Sequence, residues 1–489
     1  MNGDPVIITD ILRCGVRSGR LIEWTLHPAT VASADDPPKD SRPAAYVQES
    51  HVRTVRTLRQ RGRYIPTWVG TAFDIPGHVD LDILDTALRL WTRRHETLRS
   101  GFQWVGDELR RFTLAVDDVL LHREMVGDFP RVEDLCQHLQ DRFDAATDAL
   151  SWPNFIYAAV VRDDSTSLYL AFDHTNVDAY SLHLMAAEIH ELYAAGVEGR
   201  AAVPPEVGSY VDFCEIERAQ ADRIDDSHEI VARWREFIGS CDGMLPTFPL
   251  DLGIVLGELP RQNLLQEMLV DDSDAASFDV CCRRYGGILA GVLATSSIAV
   301  LEIGGRATCR TVVPFHTRAK SQWSESVGWY VGAAPIEIRT AQAQDFRGVL
   351  ELARNALHTN RSMARMPIAR VLHLLGSDFH PTSPDLFSLI SYVDARAVPG
   401  ADLWAGWNAS TIMRVSYGDQ VCVWITRIHE GLHVACRYPD NDIAHKNILH
   451  FVEELRKIIV SVARTGGYGE YCAEPNASHM LPIAVRARG

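Results

Sequence analysis

The chain has 489 residues, 46% of them hydrophobic, which is enough for two to three domain-sized units with ample core. Its net charge of -16 argues against a nucleic-acid partner, because phosphate binding needs a basic field. The ten cysteines, scattered apart from the adjacent Cys281 and Cys282, contain no CxxC pair and read as free, mostly buried thiols rather than a metal or disulfide framework.

Met1 to Asp10 lacks the basic region and apolar run of a secretory signal. The longest apolar stretch, Ile288 to Ile303, falls short of the roughly 20 residues of a membrane span, so the default expectation is a cytoplasmic protein. Pro37, Pro38 and Pro43 mark a loop in an extended N-terminal stretch. From His51 to Arg63 there are five arginines and no acid. At helical spacing Arg53, Arg56, Arg59 and Arg63 form one stripe, either a solvated helix face or a landing surface for an anionic group.

From Leu168 to Leu192 the period changes. Leu168, Leu170 and Phe172 alternate with Tyr169 and Ala171 as in a strand. The strand ends at His174, and a helical pattern through Leu182, Met185, Ala186, Ile189 and Tyr193 follows Asp178 and stops at Gly196. Asp178 can therefore cap that helix or pair with a cation. A histidine at a strand end suits general-base chemistry, although a lone HxxxD spacing carries little weight by itself. His183 and His190 of the same helix are spaced for one face, but no third ligand is in view, and a solvated or core-edge face is the expectation.

Ala195 to Gly208 combines glycine, two prolines and charge, and a domain boundary is placed there, dividing the chain into lobes 1–205 and 206–489. A second irregular stretch runs from Ser240 to Pro260, Cys281 to Ile303 reads as helix, and the tail after Gly466 is expected to be poorly ordered. His429 to His433 reads HEGLH, the zinc-protease spacing. Its flanks, QVCVWITRI and HVACRYP, are strand-like, so a hairpin with Glu430 and Gly431 at the turn is expected, with no zinc.

The segment from Asp173 to Ala179, DHTNVDA, resembles the HHxxxDG active-site motif of the superfamily that joins condensation domains and polyketide-associated acyltransferases. Asp173 stands in place of the first histidine and Ala179 in place of the glycine. Further segments follow in family order: RLIEWTLHPAT (Arg20 to Thr30), AYVQESHVR (Ala45 to Arg53), the stretch ending in RHETLR (Arg94 to Arg99), SYVDFCEIER (Ser209 to Arg218), VVPFHTR (Val312 to Arg318), VGWYVGAAPIEI (Val327 to Ile338) and SYVDARAVPGA (Ser391 to Ala401).

The resemblance implies an α/β (α+β) fold of two chloramphenicol acetyltransferase-like lobes, each a mixed sheet packed with helices, forming a V with a channel between them. It implies an acyltransferase that moves an acyl group from a coenzyme A or phosphopantetheine thioester to a hydroxyl acceptor in lipid or natural-product assembly, with no permanently bound cofactor. A free-standing amide-forming condensation enzyme and a catalytically silent scaffold that binds carrier proteins are the alternatives. His174 would be the general base, Asp178 would pair with Arg318 to support its loop, and Asp173 would accept a hydrogen bond or alter the local field. Arg53, Arg56 and Arg59 would receive coenzyme A phosphates or an acidic carrier protein.

Overall fold

A computed structural model describes residues 8–34, 37–255, 258–381 and 388–469. The tail from 470 onward, with Cys472, lies outside the described residues. Strands β1 (Ile8–Thr9), β2 (Gly19–Leu26), β3 (Val69–Pro76), β4 (Ser100–Val105), β5 (Glu108–Thr113), β6 (Leu121–Phe129), β7 (Phe155–Val161) and β8 (Ser165–Phe172) precede the motif. With them come helices α1 (Pro28–Ala32), α2 (Tyr46–Gln60), α3 (Leu81–Arg94) and α4 (Val132–Ala146). After the motif run α5 (Ala179–Val197), α6 (Tyr210–Ala221), α7 (Glu229–Gly239), α8 (Asp272–Tyr285), α9 (Ile288–Glu302), α10 (Phe346–Asn360), α11 (Ile368–Leu375) and α12 (Asp442–Thr465). Interspersed are β9 (Gln262–Asp271), β10 (Thr308–His316), β11 (Val331–Arg339), β12 (Leu389–Asp394), β13 (Ser410–Met413), β14 (Cys422–Arg427) and β15 (Gly431–Pro439).

Two mixed sheets organise these elements into the two-lobed chloramphenicol acetyltransferase-like fold. The first has the order β1-β13-β3-β8-β7-β2-β6, the second β11-β10-β12-β14-β15-β9, and β4 and β5 form a separate hairpin. Every residue of β8 is buried, since it runs between β3 and β7 with helices on both sides. Leu168, Leu170 and Phe172 face α3 and α5, while Tyr169 and Ala171 face α4. The alternation seen in the sequence thus separates two apolar faces rather than core from solvent. In the second lobe α8, α9, α10 and α12 cover one face of the sheet, and α7 and α11 pack in a further core cluster with Val312 and Ala333.

The boundary expected at 205/206 falls in the irregular connection between α5 and α6. One strand crosses it: β13, far along the chain, pairs antiparallel with β3, with Ser410 opposite Ala72 and Met413 opposite Val69. The helix expected over Cys281 to Ile303 is two helices whose axes differ by 102°. The break falls at Gly286 and Gly287, and Gly287 has φ +98°, a conformation that disfavours residues with a Cβ. No single helix among the described residues is long and apolar enough to cross a membrane.

HEGLH is a strand-turn-strand, with His429 and Glu430 at the turn and Ile428 N donating to Gly431 O at 3.0 Å. Gly431 belongs to β15 rather than to the turn. A Cβ there would come within 2.3 Å of Val270 O on β9, so the glycine answers a close approach between strands.

His183 and His190 are core residues, not solvated ones. His190 stacks on Trp407 at 4.1 Å and its Nε2 bonds the Asp74 carbonyl at 3.1 Å. His183 lies 5.1 Å from the Trp404 ring, and neither of its nitrogens has a hydrogen-bond partner. Burial holds its pKa down at about 4, against 6.5 when exposed. Between those values the unfolded chain binds the proton and the folded chain does not, so this residue's contribution to stability is present above pH 6.5 and is lost as pH falls toward 4. Melting temperatures taken from pH 7.5 to 4.5 should decline less steeply for His183→Leu than for the unchanged protein. Parallel curves would show that His183 is not the source of the decline.

Candidate active site

The connection from β8 to α5 is a short turn in which Asp173, Thr175, Asn176, Val177 and Asp178 are all buried and His174 alone is partly exposed. Its backbone and polar side chains are tied on several sides. Asp173 N donates to Asn154 O at 2.8 Å, Thr175 N to Asp173 Oδ1 at 2.9 Å, and Gln48 Nε2 of α2 to Thr175 O at 2.7 Å. Asn154 Nδ2 donates to Thr175 Oγ1 at 3.0 Å, and Asn176 Nδ2 to Asn154 Oδ1 at 2.7 Å. A turn so fully bonded presents one side chain in a defined orientation.

Asp178 takes both roles left open by its position. Its Oδ1 accepts from Ser181 N at 2.7 Å and so caps α5. Both carboxylate oxygens also meet Arg318, Oδ2 with Nη1 at 2.6 Å and Oδ1 with Nη2 at 3.0 Å, and Tyr330 N donates to Oδ2 at 3.0 Å. Arg318 itself reaches Ser181 Oγ and Ser326 O, and its guanidinium lies over the Tyr330 ring at 4.3 Å. Burial, the largest influence on the Asp178 carboxyl, pushes its pKa up, yet Arg318 and the Ser181 bonds outweigh it and hold the group below its ordinary value. Ala179 is the first helical residue and is exposed, so the motif's glycine is not needed for space or for backbone conformation.

Asp173 is 2% exposed and pairs with His51 of α2, Nε2 to Oδ2 at 3.0 Å. Burial again opposes the charge, and His51 and Thr175 overcome it to keep the carboxyl below its ordinary range. The His174 ring stacks on Trp329, from the second half of the chain, at 4.1 Å and 26°. The histidine therefore stands at the junction of the two lobes. Its Nδ1 is buried, which leaves Nε2 as the nitrogen a substrate can reach. Burial and then the nearby His51 cation hold its pKa below the usual histidine value, so the ring is a neutral imidazole at pH 7.

The arginine stripe is charge-compensated. Arg53 pairs with Glu49 at 2.7 Å, Arg56 with Asp107 at 3.7 Å and Arg59 with Asp148 at 2.9 Å. Arg53 and Arg56 also lie over the Trp104 ring. Arg63 falls beyond the end of α2 and off the stripe, because the helix stops at Gln60. RHETLR is internal bracing: His95 Nε2 meets Glu188 at 2.9 Å, and Glu96 meets Arg42 at 3.1 Å.

The Condensation domain family model matches residues 67–393, which include His174, Arg318 and Trp329. The chain belongs to that family. It is 26% identical to the acyltransferase PapA3 of Mycobacterium tuberculosis over 460 residues, covering 92% of this chain and 95% of that protein. It is 28% identical to the trehalose-2-sulfate acyltransferase PapA2 of the same organism, covering 91% and 95%. A solved structure of a PapA2 acyl transferase superposes with a TM-score of 0.86 at 25% identity, covering 94% of this chain and all of that one. With named acyltransferases aligned over nine tenths of its length, this member of the condensation family is an acyltransferase.

Sequence reasoning named His174, Asp173, Asp178 and Arg318 but not His51, Trp329, Gln48 or Asn154. His51 and Gln48 sit on one face of α2, three residues apart, and both grip the motif loop. Their one sequence signal is an aspartate where the family motif has histidine, since a buried carboxylate requires a cation from elsewhere.

The Asp178–Arg318 pair yields a stability expectation. Asp178→Ala should destabilise the fold by about 3–5 kcal/mol in urea unfolding, because Arg318 is left buried without its carboxylate. Asp178→Asn combined with Arg318→Met should cost less than the sum of the two single changes, measured as a double-mutant cycle. Additive losses would remove the direct coupling.

Proposed function

We propose that this enzyme moves an acyl group from a coenzyme A or carrier-protein thioester to a hydroxyl acceptor, with His174 as the general base. The reading rests on one observation: a neutral, partly exposed imidazole at the lobe junction, on a turn whose other side chains are buried. A hydroxyl acceptor is favoured by the relative named for acylation of trehalose-2-sulfate, since a sugar offers hydroxyls as nucleophiles.

His174 Nε2 takes the proton of the acceptor hydroxyl as its oxygen attacks the thioester carbonyl. The carbon–oxygen bond forms, the carbon–sulfur bond then breaks, and the proton passes from the imidazolium to the departing thiolate. Products are an ester and a free thiol, and no acyl-enzyme forms. Asp178 takes no proton in this scheme, because both its oxygens are committed to Arg318, Ser181 N and Tyr330 N.

His174→Ala should melt within a few degrees of the unchanged protein while kcat falls about a hundred- to ten-thousand-fold. Near wild-type turnover of an acyl-coenzyme A or acyl-carrier substrate in that variant would dismiss the base. Donor docking at Arg53, Arg56 and Arg59 remains part of the proposal, with the aromatic-supported guanidiniums as the contact points. Reversing all three charges should raise the donor KM and leave kcat largely intact, since these groups are remote from the reacting atoms. An unchanged KM would remove the stripe from the pathway.

A further inference from the structure

The departure from the family motif at Asp173 places a carboxylate directly before the proposed base, and the fold answers it with a histidine from 122 residues earlier in the chain. His51 makes a second contact: its ring meets the Trp329 ring edge-on at 5.7 Å and 82°. Trp329 in turn stacks on His174 at 4.1 Å. His51 thus touches both groups that flank the base, the acid adjacent to it in the chain and the indole that covers its ring. Gln48, one turn earlier on α2, holds the same loop through Thr175 O, so the helix grips the turn at two points.

We propose that His51 is a positioning residue for acyl transfer, holding His174 in place through Asp173 and Trp329 and keeping it unprotonated by carrying the site's positive charge itself. The inference rests on His174 being the base. The charged groups near His174 are His51 from α2 and Asp173 and Asp178 from its own turn, while Trp329 from the second lobe carries no charge. Asp178 is committed to Arg318, and Asp173 to His51 and Thr175. Burial opposes a charged His51, but the Asp173 carboxylate outweighs it and raises the His51 pKa. A cation held there disfavours a second one on His174, which therefore stays a free base to lower pH. The Asp173–His51 pair thereby keeps a charged group beside the base without protonating the base.

The test follows kcat and KM from pH 5 to 9 together with the His174 ring titration, read by NMR on the full chain with labelled histidine. His51→Gln keeps a hydrogen bond to Asp173 and removes the cation. It should lower kcat about ten- to a hundredfold at neutral pH with little change in KM, the scale of a small misplacement of a catalytic group. The acid limb of kcat/KM and the His174 resonance should both move to higher pH, a shift that loss of packing alone would not produce. His51→Gln with Asp173→Asn removes both charges, and the limb should return toward its original position. This double variant also stands in if the single one does not fold, since it leaves no buried unpaired carboxylate. A His174 titration and acid limb that coincide in His51→Gln and the unchanged protein would overturn the proposal. His174→Ala, measured alongside, separates the two ideas: full activity there dismisses the base, whereas the NMR titration still reports whether His51 governs the protonation of His174.

Discussion

The site depends on one buried ion pair. Asp178 is the cap of α5 and the partner of Arg318, so a single carboxylate fixes where a first-lobe helix starts and where a second-lobe strand end must lie. The backbone N–H of Tyr330 on the same carboxylate extends this hold to the segment carrying Trp329. A carboxylate moved out of water is costly unless its lone pairs are filled, and here two guanidinium nitrogens and two backbone amides fill them. The geometry of His174 against Trp329 follows from this, because both rings are side chains of segments tied to that carboxylate.

Charge is handled differently on the two sides of the base. On one side Asp178 meets a permanently charged arginine, so the pair is fixed at any working pH. On the other, Asp173 meets a histidine, whose charge is conditional. The turn between them carries two acids within five residues, and both are balanced by cations from distant parts of the chain. Balanced in this way, they do not draw a proton onto His174, whose burial and cationic neighbour favour the neutral ring.

The two lobes are less separate than the order of the chain suggests. β13 joins the first sheet from the second half of the chain, and Tyr210, Phe213 and Trp323 pack with Ala45 and Tyr330 beneath the motif loop. Ser326 Oγ donates to Gly208 O at 2.7 Å, tying the inter-lobe connection to the loop that also receives Arg318. Elements on both sides of the junction are therefore bound through several independent contacts, which keeps His174 and Trp329 in register.

Local chemistry made much of this molecule legible from the sequence. The period-2 run into His174, the helix after Asp178, the strand-like flanks of HEGLH and the ordered family segments each depend on neighbours within a few residues, and such patterns survive without knowledge of the fold. Arg318 was reachable only because the family resemblance supplied the pairing. Sequence by itself left undetermined whether Asp178 caps or pairs, whether His183 and His190 meet water or tryptophan, and which cation answers Asp173. Those outcomes are contacts between residues up to 140 positions apart. No local pattern encodes them, because burial and partner choice are set only when the sheets and helices close around the turn.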